Sequence, residues 1–304
     1  MKKKIGLAGV AILLFALLWY LFLRPYDARA RWEVKAVPGT INQSLKAWDK
    51  DQQKEKGIEQ GDDLTELTQY LTIAEDSIHR YHWKLEQKTD STTQVILEVT
   101  DENHSVSNRL KSLFSTTDLD RRTVANVKAF RTILKDHLAN TRVTLLGEDE
   151  LGTTFYAYIP VASTQWEKAA MMMKHQPLLS QVLAENEVQL NGLPFIEVTK
   201  WNQENDSIYY NFCFPIVRSE RLPIHPEIKY KRLFGKKVLK AEYNGNYITS
   251  DRAWYALQNY AERNGLEYVN TPIEFFYNNP NMGGNALNWK AEVFLPLKSE
   301  EENE

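Results

Sequence analysis

A strand ending that occurs twice is the feature of this sequence that most constrains its fold. The pentapeptide FCFPI at residues 212–216 returns as VFLPL at residues 293–297. Each copy closes a segment in which a strand is followed by a helix and two more strands. One such unit leaves a sheet face uncovered, so the sequence predicts two copies, at residues 150–218 and 234–298, packed about a pseudo-twofold axis.

The alignment of the two copies predicts which residues occupy equivalent places. Matching the FPI and LPL tripeptides places Asn211 opposite Glu292, and the dipeptide IE at 196–197 is aligned with IE at 273–274. At the position of Asn211 and Glu292 both copies have a polar side chain, but only the second copy has a charged one. A carboxylate on an otherwise apolar strand requires a partner. The second copy is therefore the one predicted to carry a ligand site.

Three ordered motifs of the second copy carry a family resemblance. They are YNGNYITSDRAWYALQNYAERNGL at 243–266, PIEFFYNNP at 272–280 and KAEVFLPL at 290–297. With them, residues 150–298 resemble the GyrI-like small-molecule-binding domain, which is also the effector-binding domain of bacterial multidrug-responsive transcription activators. The resemblance implies a duplicated α+β fold, similar to GyrI and SOUL domains, with a ligand groove between the copies. Residues 150–218 would be the diverged copy.

The resemblance also implies which side chains line the groove. Glu292 matches an acid that such domains often carry on the last strand, while Trp254 and Tyr243 match positions that border the groove. An acid among aromatic rings favours hydrophobic cations, because rings attract cations and a buried carboxylate needs a partner. Pairing with Lys290, on the same strand face, is the alternative role of Glu292. Further candidates, each with core packing as the alternative, are Tyr277, Phe275, Tyr209 and Tyr158.

Residues 25–145 indicate a separate α+β domain. The sequence predicts a strand, a turn at Pro38 and Gly39, a short amphipathic helix, three β-rich runs and a long final helix. This order resembles the SRPBCC or START-like helix-grip family, and VKAVPGTI and the final helix are its most specific parts. The resemblance implies an antiparallel sheet that wraps around the last helix and leaves an apolar cavity. An unclassified α+β sandwich is the alternative.

The first 24 residues predict a membrane anchor. Residues 5–23 form an uncharged apolar run, preceded by three lysines and followed by Arg24. At about 1.5 Å per residue such a run just spans a hydrocarbon core. A cleaved signal peptide is the alternative, although the run is long for one and lacks a small-residue cleavage site. The leading lysines favour a single-pass protein of the bacterial inner membrane with its domains on the exported side.

Charge and motif content argue against several classes of partner and site. The net charge is -3, with basic and acidic residues interspersed, so neither a nucleic-acid surface nor a DNA-recognition helix is predicted. The single cysteine and the six histidines lack metal-ligand spacing, and nucleotide-binding and nucleophile motifs are missing from the sequence. No cofactor or metal site is predicted. The stretch from Lys50 to Asp63 reads as a charged connection, and residues 299–304 as an acidic tail.

These observations predict a membrane-anchored, non-enzymatic sensor that binds a hydrophobic or amphipathic small molecule. The alternative is a hydrolase of reactive small molecules in which a groove glutamate activates water, because some proteins of the resembled family are hydrolases. Such a base would need a raised pKa and a second polar group to hold the substrate. A structural or partner-docking role is the third hypothesis.

Overall fold

A computed structural model describes residues 2–51, 57–74 and 77–298. The predicted acidic tail at 299–304 and residues 52–56 of the predicted charged connection lie outside these ranges. The chain divides into two compact units, residues 1–135 and 136–304. Both contain an antiparallel sheet and helices, in agreement with the predicted α+β class. The exact domain boundaries expected from the sequence remain predictions.

The apolar run at the start of the chain folds as two elements. Helix α1 (Lys2–Leu18) has 17 residues, of which the first three are lysines, and a π-helical turn follows at Trp19–Leu23. An α-helix of this length is about 25 Å long, whereas a hydrocarbon core is about 30 Å thick. Within the described ranges the structure has no helix that combines the length and the apolar character needed to cross a membrane. The predicted anchor and the inner-membrane localisation are therefore wrong.

The first unit has a five-stranded sheet with the order β1-β5-β4-β3-β2. Helix α2 begins at Pro38, where the sequence predicted a turn, because proline is well tolerated in the first turn of a helix. Its buried side is the predicted one, with Ile41, Leu45 and Trp48 almost fully covered. The elements are β1 (Ala28–Val34), α2 (Pro38–Asp51), β2 (Glu59–Gln60), β3 (Glu66–Ala74), β4 (Ser77–Gln87), β5 (Thr93–Asp101), α3 (Ser105–Ser112) and α4 (Asp118–Ala139).

Aromatic rings hold helices α2 and α4 against the sheet of this unit. The Trp83 ring of β4 lies 6.4 Å from Trp48 of α2 and 5.4 Å from Phe130 of α4, centroid to centroid, in edge-to-face contacts. Such contacts add about 0.5–1.5 kcal/mol each to the effect of burial. The order of elements agrees with the predicted order. Membership of the helix-grip family remains a prediction.

The second unit has an eight-stranded antiparallel sheet with the order β10-β7-β9-β8-β12-β13-β11-β6. Its elements are β6 (Arg142–Leu151), β7 (Thr154–Thr164), α5 (Lys168–Glu185), β8 (Phe195–Asn202), β9 (Ser207–Pro215), β10 (Lys229–Leu233), β11 (Lys236–Asn244), α6 (Arg252–Arg263), β12 (Ile273–Phe276) and β13 (Lys290–Pro296).

The predicted duplication is present in this sheet. Elements β7-α5-β8-β9 and β11-α6-β12-β13 repeat one unit, and the strand order of one copy mirrors that of the other about the β8–β12 pair. The repeated strand endings lie on β9 and β13, each the middle strand of its copy. The sequence predicts that Asn211 and Glu292 are equivalent. In the sheet Asn211 lies opposite Glu197, and Glu292 lies opposite Phe275. Glu197 is thus equivalent to Phe275, so the predicted alignment of the two IE dipeptides is wrong by one residue.

Side chains alternate between the two faces of this sheet. Helices α5 and α6 pack on one, the helical face, where buried Lys168 of α5 reaches Glu274 of β12. The opposite face, here called the groove face, carries Glu197, Phe275 and Glu292. It also carries a buried cluster that includes Leu151 of β6 and Leu233 of β10. The sheet must curl, because only two residues join the edge strand β6 to β7, which lies next to the other edge, and the buried apolar cluster indicates that the groove face is the concave one.

Candidate ligand groove

Aromatic rings form the floor of the groove. Phe195 of β8 lies directly opposite Phe275 of β12, and their rings stack with centroids 4.7 Å apart. Phe275 also meets the edge of Phe294 at 5.7 Å, and Phe195 meets Tyr156 at 5.1 Å. Tyr158 packs against the same cluster. The two copies therefore contribute to one continuous apolar surface across the pseudo-twofold axis.

An acid of the first copy lies beside this floor. Glu197 Oε2 accepts hydrogen bonds from the Tyr156 hydroxyl at 2.5 Å and from Asn211 Nδ2 at 3.0 Å. Lys231 Nζ is 3.1 Å from both carboxylate oxygens. The Glu197 side chain is 12% exposed and that of Lys231 is 46% exposed. Burial alone would raise the pKa of Glu197, but hydrogen bonds from Tyr156, Asn211 and Lys231 outweigh it and lower that pKa.

The acid of the second copy is held by different groups. Glu292 is 3.1 Å from Lys290 and 3.6 Å from Lys240, and it accepts a hydrogen bond from Tyr277. The pairing with Lys290 that the sequence offered as an alternative is thus present. Burial opposes ionisation of Glu292, but the bonds from Lys290 and Tyr277 and the charge of Lys240 lower its pKa. Lys290 also pairs with Glu242 at 3.1 Å.

The structure brings four of the seven predicted site residues together. Phe275 is the cross-strand partner of Glu292, and Tyr277 bonds to the same carboxylate. Tyr158 lies on the other side of the floor, against Tyr156 at 5.7 Å. Tyr209, further along β9, shares the face of Asn211 by alternation, but its side chain is half exposed beside Lys200.

Trp254 and Tyr243 lie elsewhere. Trp254, on α6, is fully buried against Trp201 at 5.2 Å and under the ammonium of Lys168 at 4.6 Å. Tyr243 is fully buried on the helical face, opposite Ala291 of β13, and its hydroxyl donates to the Asn246 carbonyl at 2.8 Å. Both positions differ from the expectation that these rings border the groove, because the amphipathic α6 turns Trp254 toward the sheet and strand alternation directs Tyr243 of β11 to the helical face.

Sequence reasoning missed Glu197 as a site residue, together with its donors Tyr156 and Lys231. The one-residue error in the alignment equated Glu197 with Glu274, which faces the helices. Strand alternation could have found it, because Glu197 lies opposite Asn211, a residue already placed on the groove side.

Comparisons with known proteins agree with this architecture. Residues 163–298 match the family model described as the GyrI-like small molecule binding domain. Among solved structures, the EcmrR C-terminal domain matches with 14% identity, covering 52% of this chain and 98% of that chain, with a TM-score of 0.44. SAV2435 bound to tetraphenylphosphonium matches with 12% identity, 52% and 96% coverage, and a TM-score of 0.37.

The di-domain ARO/CYC BexL matches with 11% identity, covers 89% of this chain and 85% of that chain, and has a TM-score of 0.27. No curated protein gives a significant match. Because these three TM-scores are all below 0.5, the assignment rests on the family match. Residues 163–298 therefore form a GyrI-like small-molecule-binding domain.

Proposed function

We propose that the second unit binds hydrophobic small molecules in the groove of its eight-stranded sheet, with a preference for cations. The observation that carries the proposal is the environment of Glu197. This acid is nearly covered and lies beside a stacked aromatic floor, and among the described residues its single cationic partner, Lys231, is half exposed. The family match of residues 163–298 supports small-molecule binding by this domain.

A hydrophobic cation would replace Lys231 at Glu197. The Tyr156 and Asn211 donors hold the carboxylate in place without adding positive charge, so the site stays anionic when the lysine leaves. Lys231 belongs to the outer strand β10, from which its ammonium can return to water. Rings of the floor would add about 0.5–2 kcal/mol of cation-π attraction. The apolar part of the ligand would cover the partly exposed rings of Phe275 and Tyr158, which lie over the fully buried Phe195.

Glu292 has a secondary role in this proposal. A cation that bound it directly would have to displace Lys290 and Lys240, which contact this carboxylate and also pair with Glu242 and Asp149. Glu292 would instead limit the positive potential of those lysines on its side of the groove. Tyr277, Phe275 and Tyr158 contribute ring surface, and Tyr209 lies toward the exposed end of β9.

The pKa directions of the two acids favour binding over hydrolysis. A glutamate that activates water as a general base works best when its pKa is raised toward the operating pH. The hydrogen bonds and nearby charges lower the pKa of both Glu197 and Glu292 despite burial. Both are suited to remain carboxylates that attract positive charge.

Titration calorimetry with tetraphenylphosphonium, the cation in the SAV2435 complex, tests the proposal. Glu197→Gln keeps the side-chain shape and removes the charge, and we expect it to weaken binding about 10- to 100-fold, since charged hydrogen-bonded contacts contribute about 1.5–3 kcal/mol. Glu292→Gln should weaken binding of the cation less than about fivefold, because Lys290 and Lys240 already pair with this carboxylate.

Triphenylphosphine oxide, a neutral molecule with similar rings, is the control ligand, and its affinity should be the same in wild type and both variants. Equal losses for the cation and the neutral molecule would contradict charge selection by Glu197. Failure of wild type to bind either molecule would contradict the groove as a site for ligands of this class.

A further inference from the structure

A second cavity, of about 210 Å³, lies on the helical face of the second unit. It lies between α5, the segment before β8, β9 and the segment that follows β12, and it is open to solvent on one side. The apolar residues that define it are Ala169, Met172, Phe212, Phe214, Phe276 and Tyr247. Concave and mostly apolar pockets are the usual binding places for small molecules, so this space calls for an explanation.

The sheet itself separates this cavity from the groove. Phe212 and Phe214 of β9 flank Cys213, which belongs to the groove-face cluster, and therefore point to the opposite side. Phe276 likewise follows Phe275 on β12 and points away from the groove floor. A molecule in the cavity would contact none of Glu197, Phe195 or Phe275. Tyr277, just after β12, is the residue named for the groove that also lines the cavity, so the two ligands would share only the ring of this exposed side chain and both can be bound at once.

The lining chemistry indicates the class of ligand. None of the described residues around the cavity is charged. The hydroxyl of Tyr247 is already engaged, because it donates to the Lys290 carbonyl at 2.7 Å and accepts from the Asn278 amide at 3.1 Å. That tyrosine therefore offers only its ring, which packs on Phe276 at 4.9 Å. An uncharged aromatic molecule suits such a surface.

Side-chain amides supply the polar part of the lining. The Asn278 and Asn279 side-chain oxygens already accept backbone N–H groups, those of Lys290 and Asn281. Within the described parts of the chain, their NH₂ groups and the amide of Gln176 donate to no other residue, and all three side chains line the cavity. These donors would suit a ligand with a carbonyl or similar acceptor at its edge.

We propose that this cavity is a second ligand site, for an uncharged one- or two-ring aromatic molecule that carries a hydrogen-bond acceptor. An engineered apolar cavity of about 150 Å³ binds benzene, so about 210 Å³ accommodates a bicyclic molecule. Met172 and Met173 can adjust to its outline, because methionine side chains are flexible and polarisable. Met173 and Tyr277 are 44% and 43% exposed, and they form an entrance.

Coumarin is the probe for this site, since it is neutral and bicyclic and has a carbonyl at its edge. Ala169→Leu places a larger side chain in the cavity, whereas Ala170→Leu makes the same change at the next, exposed position of α5. We expect calorimetry on the full chain to show coumarin binding that Ala169→Leu weakens at least tenfold and Ala170→Leu changes less than twofold. Coumarin affinity should be the same with and without tetraphenylphosphonium.

A second measurement does not depend on how well Ala169→Leu folds. In wild-type protein labelled with ¹³C at the methionine methyl groups, coumarin should shift the signals of Met172 and Met173 and give nuclear Overhauser effects to them. Coumarin binding that is unchanged in Ala169→Leu, that competes with the cation, or that leaves both methyl signals unmoved would overturn the second site. So would the lack of any coumarin binding. Because the cation reports on the groove separately, either site can fail alone.

Discussion

The two copies of the repeated unit place an acid at different points of the same strand pair. In the first copy the cross-strand pair is Glu197 with Asn211, and in the second it is Phe275 with Glu292. The acid has thus moved from the second strand of the unit to the third. Each copy therefore places one of these two acids beside the stacked rings.

The partners of the two acids differ more than their positions. Glu197 receives two neutral donors, a hydroxyl and an amide, and one lysine, whereas Glu292 receives one neutral donor, the Tyr277 hydroxyl, and lies between two lysines. Neutral donors satisfy a carboxylate and leave its charge available, while ammonium groups neutralise it. Equivalent places in a duplicated fold therefore differ in which ligands they can attract, and the first copy provides the better cation site.

The pseudo-twofold axis gives the strongest test of how far the copies have diverged. At this axis Ile196 of β8 lies directly opposite Glu274 of β12, and the two residues occupy equivalent positions in the two copies. Glu274 is fully buried and bonds to the fully buried Lys168 at 2.8 Å. Lys168→Met would leave this carboxylate without its cation, and we expect the free energy of unfolding to fall by about 3–5 kcal/mol. Urea denaturation followed by tryptophan fluorescence measures the change.

The control combines Lys168→Met with Glu274→Ile, which gives both copies isoleucine at the axis. Replacing a buried ion pair by apolar side chains is often neutral or stabilising, so the double variant should regain most of the lost stability. A double variant no more stable than Lys168→Met would show that the loss comes from packing rather than from the unpaired acid.

The pH dependence of stability sharpens the comparison of the groove acids. Because the folded-state pKa of Glu197 is lowered, its contribution is complete above the ordinary glutamate pKa of about 4.3 and is lost as pH falls through the folded-state value. Glu197→Gln should therefore destabilise the protein by roughly 1.5–3 kcal/mol at pH 7, with a gap to wild type that closes on acidification. Denaturation at pH 7, 5 and 3 measures the gap.

Glu292→Gln is the matched variant for that experiment. Its pKa is also lowered, so its gap should close in the same direction, but from a smaller value at pH 7, because Glu292 depends mainly on partly exposed lysines whereas Glu197 also accepts buried hydrogen bonds from Tyr156 and Asn211. A gap for Glu197→Gln that widens toward pH 3 would mean that the folded protein disfavours the carboxylate at this position.

The duplication could be predicted from sequence because it rests on local patterns. Strand alternation, helix periodicity and the repeated strand endings identify all eight elements of the two copies. The outer strands β6 and β10 are different. The side chains of β6 are mostly exposed, and β10 has only five residues, so neither shows a clear apolar alternation. Yet Lys231, the displaceable partner of Glu197, comes from β10.

Two errors about the site have a common origin. A one-residue shift in alignment moves a strand residue to the other face of the sheet, which is how Glu197 was equated with Glu274. Whether a helix aromatic such as Trp254 faces a groove or a core depends on which sheet face the helix covers. Sequence periodicity shows that a helix has an apolar side, but it does not show what lies against that side.

The smallest expected effect concerns the lysines that compete with a cationic ligand. A cation that binds Glu197 must first break its pair with Lys231, a half-exposed contact that contributes up to about 1 kcal/mol. Lys231→Met removes the competitor and keeps the length of the apolar side chain, so tetraphenylphosphonium affinity should rise about two- to fivefold. Lys290→Met should change it less than twofold, because Lys240 still pairs with Glu292 and the groove acid in contact with the ligand is unaffected. Calorimetry in 150 mM salt, where distant charges are largely screened, compares the two variants. A loss of affinity in Lys231→Met, or an equal gain in both variants, would show that the cation does not take the place of Lys231.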